Sequence, residues 1–287
     1  MSSFKELYEE NKAKGDRLTK EMLATLNPDE EYVKDNEIYC KKCNTPRTIF
    51  AFTQKVRTRC KCQKEAWELK EKQQMELERK AKIEKLKEAS LLGKKYKSVS
   101  FDNTDTSNQD FAKIFGRCKR YCEVVDQVLD RGLGIYMFGN AGTGKTRLTA
   151  CMANELMDKG YMVIFTNFSE ISKQIRSSYD NRGISEAGIM DKLLNADFLF
   201  IDDLGTEMLV KDNQDKWIQQ KIYEVINGRY NNNKPIIITS NHSLSELMSN
   251  RGLSPKTLDR IVEMCEPMKL DGVSYRLKAR KSQAPIF

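Results

Sequence analysis

A chain of 287 residues with 39% hydrophobic content has room for one full core and a smaller module, and no apolar run approaches the roughly 18 residues of a membrane span. The net charge of +8 permits attraction to nucleic acid without requiring it, and the polar first ten residues, lacking a signal-peptide core, point to the cytoplasm. In that compartment the eight cysteines do not read as a disulfide framework, so their spacing needs another explanation.

Residues 2–26 read as helix, with a capping-box pattern at Ser3-x-x-Glu6, a break near Gly15-Asp16 and a sticky face through Phe4, Leu7, Leu18 and Leu23. Two close cysteine pairs follow, Cys40-x-x-Cys43 and Cys60-x-Cys62, around Pro46 and a β-prone stretch from Thr48 to Val56. Four thiolates suit a closed tetrahedral zinc site, and a module this small lacks the core to fold without one. The second pair has one intervening residue where two are commoner, so a redox dithiol or free thiols stays as the alternative. Eight basic residues and no acidic ones lie between Lys41 and Lys64. Zinc with four thiolates carries about −2, which absorbs part of that charge; the rest fits a solvated surface as well as contact with nucleic acid or an acidic protein face.

From Gln63 to Ser90 the chain is nearly all charged, with Glu68/Lys72 and Glu76/Lys80 at helical spacing and too few apolar positions for a coiled-coil seam. We therefore divide the chain into an N-terminal module over 1–62, a charged linker helix over 63–90 and a larger domain over 91–287. That domain opens on the apolar stripe Phe111, Ile114, Phe115, Cys118, Cys122, Val125 and Leu129, a helix starting near Ser107 in which both cysteines are core. Strands at 135–138, 161–167, 198–202 and 236–240 then alternate with helical segments at 145–158, 169–194 and 215–230. Uncharged strands between amphipathic helices predict an α/β fold, a parallel sheet between helices.

Directly after the first strand, Gly139, Asn140, Ala141, Gly142, Thr143, Gly144, Lys145 and Thr146 match the G-x-x-x-x-G-K-[ST] phosphate loop, with Arg147 adjoining it. Glycines let backbone N–H groups curl around phosphates, Lys145 supplies a point charge, and the Thr146 hydroxyl can ligate Mg²⁺. The apolar run Phe198 to Ile201 delivers Asp202 to the magnesium shell and Asp203 to orient or deprotonate the attacking water. A second buried strand ends in Asn241, suited to a γ-phosphate or its water; Ser243-x-x-Glu246 offers a better helix cap nearby. Arg260 could reach a neighbouring subunit's γ-phosphate as an arginine finger, or pair with Asp259 or Glu263. His242 is the one histidine in the sequence and reads as a solvated loop residue.

These segments, together with Tyr96 to Asp102, Leu258 to Ile261 and Ser274-Tyr275-Arg276, resemble the AAA+ ATPases of the DnaC/DnaI helicase-loader family over about residues 90–281. The resemblance implies an AAA+ P-loop NTPase that uses ATP, ADP and Mg²⁺ and assembles with copies of itself. It further implies that the protein loads a DnaB-type hexameric replicative helicase onto single-stranded DNA, away from any membrane. It makes Lys145 and Thr146 Walker A, Asp202 and Asp203 Walker B, Asn241 sensor 1, Arg260 the finger and Arg276 sensor-2-like. A zinc-bearing N-terminal domain that grips the helicase is similar to the DnaI branch and to phage-encoded loaders. An added helix in such proteins grips single-stranded DNA; here Lys173, Arg176 and Arg182 would touch phosphates, with an ordinary solvated face as the alternative. Few residues follow Ser240, so the lid is reduced, and Pro267 to Leu277 reads as a hairpin around Asp271-Gly272. Two other readings remain: an IstB-like AAA+ ATPase regulating transposition, and a nucleic-acid-binding zinc protein whose nucleotide site only holds structure.

Overall fold

The computed structural model describes residues 18–51, 54–180, 185–206, 213–251, 253–272 and 274–275, so the expectations placed on Ser3 to Asp16, Arg182 and Arg276 lie outside the described residues. The chain divides into two compact units, Met1–Arg79 and Lys80–Phe287.

In the first unit a short helix, α1 (Lys20–Ala24), precedes two antiparallel hairpins. The first joins β1 (Glu31–Lys34) to β2 (Glu37–Cys40), and the second joins β3 (Thr48–Ala51) to β4 (Gln54–Arg57). Asp35 and Asn36 both have positive φ, 48° and 60°, the backbone that a two-residue hairpin turn of matching twist demands. The module buries little apolar surface: among its described residues Ile38, Cys40 and Cys60 are the buried hydrophobics, beside the buried polar Glu31, Arg47, Thr48 and Lys55. Such a core cannot offset the ordering entropy of the chain around it. A 29-residue helix, α2 (Lys61–Ala89), follows with none of its residues buried, as its charge pattern predicts, and the division between the units falls inside it.

The second unit is an α/β layer structure. Helices α3 (Gln109–Glu123) and α4 (Val125–Arg131) lead into β5 (Gly134–Phe138), α5 (Lys145–Asp158) and β6 (Val163–Thr166). The predicted helical stretch over 169–194 is two helices, α6 (Phe168–Asp180) and α7 (Glu186–Asn195), the second capped by Ser185. Then come β7 (Phe198–Ile201), α8 (Asn213–Asn231), β8 (Ile236–Ser240), α9 (Leu244–Arg251), α10 (Pro255–Met264) and β9 (Cys265–Lys269). The five strands are parallel in the order β6-β7-β8-β5-β9. Successive side chains alternate between two cores: Ile135, Met137, Phe198, Phe200 and Ile237 meet α3 and α5, while Tyr136, Leu199, Ile201, Ile236 and Ile238 meet α6 to α10. Each such fully buried side chain contributes about 1.5–3 kcal/mol.

Among the described residues the expected hairpin at Pro267 to Leu277 does not appear. Cys265–Lys269 is instead a fifth parallel strand, registered on β5 with Pro267 opposite Tyr136. Met268 and Leu270 are buried in one core and Cys265 in the other, and hiding them outweighs the turn preference of Asp271-Gly272. Pro267 is tolerated because β9 is an edge strand, where a missing N–H breaks no ladder. Beyond β8 the described residues supply two short helices and this strand.

Candidate nucleotide site and cysteine cluster

The sheet topology puts the carboxyl ends of β5, β7 and β8 side by side, and each delivers one part of the site. From β5 the chain enters the phosphate loop at Gly139, where φ is 141° and an added Cβ would stand 2.2 Å from the Leu270 carbonyl oxygen. Gly144 caps α5 with φ at 101°, a conformation that a side chain resists. Thr143 is buried and its hydroxyl donates to the Asn140 carbonyl at 2.9 Å, tightening the turn around Ala141 and Gly142. The first N–H groups of α5 have no carbonyl within the helix to bond, which makes its start suited to an anion.

Two chains of hydrogen bonds cross the site. Lys145 Nζ donates to the carbonyls of Gly139 and Asn140 at 2.7 and 2.9 Å and to Asn241 Oδ1 at 2.9 Å. Asn241 Nδ2 then donates to Asp203 Oδ1 at 2.9 Å. In the second chain the Thr146 hydroxyl donates to Asp202 Oδ1 at 3.0 Å, and the Thr239 hydroxyl donates to the same oxygen at 2.6 Å. Thr239 also accepts the Asp203 N–H at 2.9 Å, so one hydroxyl ties the two adjacent acids to the neighbouring strand. Asp203 sits at φ 60°, left-handed backbone that Asp tolerates better than most residues and that turns the chain sharply after β7. Burial raises the Asp202 carboxyl above its ordinary range; the Thr239 and Thr146 hydroxyls pull it back, and the neighbouring Asp203 charge raises it further.

Sequence reasoning did not single out Thr239. Its signal was present as a hydroxyl ending an otherwise all-isoleucine stretch, where a buried polar side chain must find a partner. The Arg147 side chain points elsewhere than the loop: its guanidinium bonds the Asn103 carbonyl at 2.8 Å and the Thr104 hydroxyl at 3.3 Å. Arg260 lies over the Tyr230 ring at 4.2 Å and near Glu263 and Asp259 at 3.3 and 3.6 Å, none of which belongs to the phosphate loop. Arg176 lies over Trp217 at 5.3 Å. Lys173 is exposed, 4.0 Å from Glu170, and lines an open groove with Gln174, Ser177 and Lys192. His242 is half-buried and its carbonyl accepts the Tyr136 hydroxyl at 2.6 Å.

In the first unit, Cys40 from the end of β2, Cys43 from the following turn, Cys60 before α2 and Cys62 in its first turn bring their sulfurs within 4.8 Å of one another. The separations Cys40 to Cys62 and Cys60 to Cys62 are 3.7 and 3.3 Å. A tetrahedron with metal–sulfur bonds of about 2.3 Å has edges of about 3.8 Å, so the donor set fits zinc. The Thr45 hydroxyl draws the Cys43 thiol down to about 5, whereas the adjoining Cys60 pushes Cys62 up to about 12, as for thiolates crowded together without a cation. Cys118 is different: fully buried among apolar neighbours, it is pushed up to about 12 by desolvation, and it is core as expected.

The family model of IstB-like ATP-binding proteins matches residues 65–284. The chain is 30% identical over 205 residues to the phage-like element PBSX protein XkdC of Bacillus subtilis, an overlap covering 69% of this chain and 74% of that one. It is 24% identical over 189 residues to the replicative helicase loader DnaI of the same organism, spanning 62% of this chain and 58% of DnaI. A crystal structure of the DnaC helicase loader superposes with a TM-score of 0.52 at 23% identity over 62% of this chain and 99% of that chain, a likeness of fold. The chain belongs to the IstB-like ATP-binding protein family and carries its phosphate loop on an AAA+ fold.

Proposed function

We propose that the protein is an ATP-driven helicase loader of the cytoplasm: its N-terminal module holds a DnaB-type hexameric helicase and its AAA+ unit binds single-stranded DNA. The observation that carries the nucleotide part is the meeting of the two hydrogen-bond chains, Lys145–Asn241–Asp203 and Thr146–Asp202–Thr239, at the start of α5. In this reading Gly139 to Thr146 cradle the phosphates, with Lys145 against the outer ones. Thr146 and Asp202 hold Mg²⁺, which supplies charge neutralisation when bound. Asp203 orients the attacking water and Asn241 reports the γ-phosphate, both released from the contacts that now join them to Lys145. Arg260, half-buried on α10, is the residue a neighbouring copy would offer to that phosphate, and Arg276 a sensor-2-like contact. Lys173, Arg176 and Arg182 form the DNA-facing set, and Cys40, Cys43, Cys60 and Cys62 hold zinc. Similarity to named replicative helicase loaders supports the biological role.

The test is to purify the full chain with replicative helicases from the same genome and measure complex formation and loading onto single-stranded DNA, with and without ATP. Lys145→Ala should abolish ATP turnover and loading together. Unimpaired loading by that variant would sink the proposal in favour of a purely structural nucleotide site. The IstB-like family match favours a second reading, a regulator of transposition. A preference for duplex DNA and retention of a transposase instead of a helicase would mark it.

A further inference from the structure

Arg260 does not project freely from α10. Its guanidinium lies over the ring of Tyr230, a residue of α8, at 4.2 Å from the ring centroid. Two carboxylates of its own helix flank it, Glu263 Oε2 at 3.3 Å and Asp259 Oδ2 at 3.6 Å. The Tyr230 hydroxyl in turn donates to Glu263 Oε1 at 2.7 Å, so ring, carboxylate and guanidinium close into one cluster. Tyr230 is itself anchored. Its side chain packs against the apolar core on that face of the sheet, and its carbonyl accepts the Asn233 N–H. The preceding residue, Arg229, is fully buried and donates to the Leu193 and Pro235 carbonyls, which fixes the end of α8 that carries the ring.

An ion pair between exposed groups contributes little, and the Glu263 and Asp259 side chains are 55% and 74% exposed, so neither holds the guanidinium firmly. The aromatic face does more, because an arginine stacked on a ring keeps its N–H groups available to a further acceptor. A long side chain that must reach a phosphate across a subunit boundary loses its rotamer freedom in doing so, and one seated beforehand has already lost it. We propose that Tyr230 is a positioning residue for Arg260: its ring seats the guanidinium for the γ-phosphate of a neighbouring copy, and its hydroxyl keeps the competing Glu263 carboxylate engaged. This rests on the reading of Arg260 as an arginine finger and goes past it, naming a residue on another helix that acts through that arginine.

The test mixes full-length chains in pairs. Lys145→Ala keeps the finger but has lost its own site, and Arg260→Ala keeps its site but has lost the finger, so an equal mixture should recover ATP turnover that neither has alone. Tyr230→Leu is then added to one partner at a time. In the Lys145→Ala chain, which supplies the finger, it should lower the recovered turnover by about 3- to 10-fold, the scale of one cation–ring contact. In the Arg260→Ala chain, which has no guanidinium to seat, it should change nothing. Tyr230→Phe keeps the ring, and in the finger-supplying chain it should hold turnover within about twofold of the unmodified mixture. An equal fall from either chain would mean that Tyr230 serves only the fold. That result, an unchanged turnover with Tyr230→Leu in the finger-supplying chain, or as large a fall with Tyr230→Phe there, overturns the proposal while leaving Arg260 a finger. A mixture that recovers nothing overturns the finger reading and this inference together. If Tyr230→Leu does not fold, Tyr230→Met carries the same comparison.

Discussion

At the residue scale Thr239 is where the site is most exposed to a single change. Its hydroxyl is the shortest contact to Asp202 and also fixes the backbone of Asp203, so it acts through those acids as a positioning residue. A hydrogen bond to a charged group is worth about 1.5–3 kcal/mol, which converts to a fall of roughly 10- to 100-fold in ATP turnover for Thr239→Val, with Thr239→Ser restoring most of it. Steady-state turnover beside nucleotide affinity checks this, since a positioning role lowers kcat more than binding. The raised Asp202 carboxyl also sets a pH dependence. In the ligand-free chain a raised acid stabilises the fold fully below its ordinary pKa of about 3.9, and that contribution is lost as pH rises through the higher folded value. Holding the ionised form ready for Mg²⁺ therefore costs stability at neutral pH, and thermal melts of ligand-free Asp202→Asn should lie above wild type there. Thr239→Val removes a hydrogen bond that favours the ionised form, so Mg²⁺ affinity should begin to fail at a higher pH on acidification than in wild type. The phosphate loop and both acids were legible in the sequence because their chemistry demands fixed residue types at fixed spacing. Thr239 was not, because a threonine in a strand is ordinary until its partner across the sheet is known.

At the element scale the same contrast separates the central strands from the edge strand β9. The β5, β7 and β8 segments announce themselves as apolar runs because a parallel strand is covered on both faces, and each reads from the sequence to within a residue of its observed ends. The ninth strand was hidden: Glu266 and Pro267 interrupt its pattern, and Asp271-Gly272 imitates a hairpin turn. Its place is decided by long-range burial of Cys265, Met268 and Leu270, which no local window contains. Arg229 is a second long-range decision. Fully buried, it donates to the carbonyls of Leu193, Leu194, Ala196, Asp197 and Pro235, tying together the turns that feed β7 and β8, and burial pulls it down to about 10. Arg229→Met should leave those carbonyls without their donor at a cost of about 3 kcal/mol or more. For a unit of this size that is a fall in Tm of about 6–12 °C, readable by calorimetry on the full chain. A shift under about 2 °C would mean the turns hold without it.

At the scale of the whole molecule the two units rest on different physics, and one reagent should separate them. Unit Lys80–Phe287 has two continuous apolar cores on either face of its sheet and needs no staple. Among its described residues unit Met1–Arg79 has a core of Ile38, Cys40, Cys60 and buried polar groups around Glu31, too little apolar area to offset chain entropy by itself. If the four thiolates hold zinc, metal binding is most of that unit's folding free energy, and removing the metal should unfold it while leaving the other intact. We expect a strong chelator under reducing conditions to expose protease sites ahead of residue 80, with a fragment from about residue 80 onward persisting and ATP affinity changed less than about twofold. Zinc added back before proteolysis should restore protection. Loss of ATP binding in step with the metal would show instead that the phosphate-loop unit depends on the module for its own stability. Unchanged proteolysis in a protein shown to have lost its zinc would mean that the hairpins and the Glu31 network suffice without it.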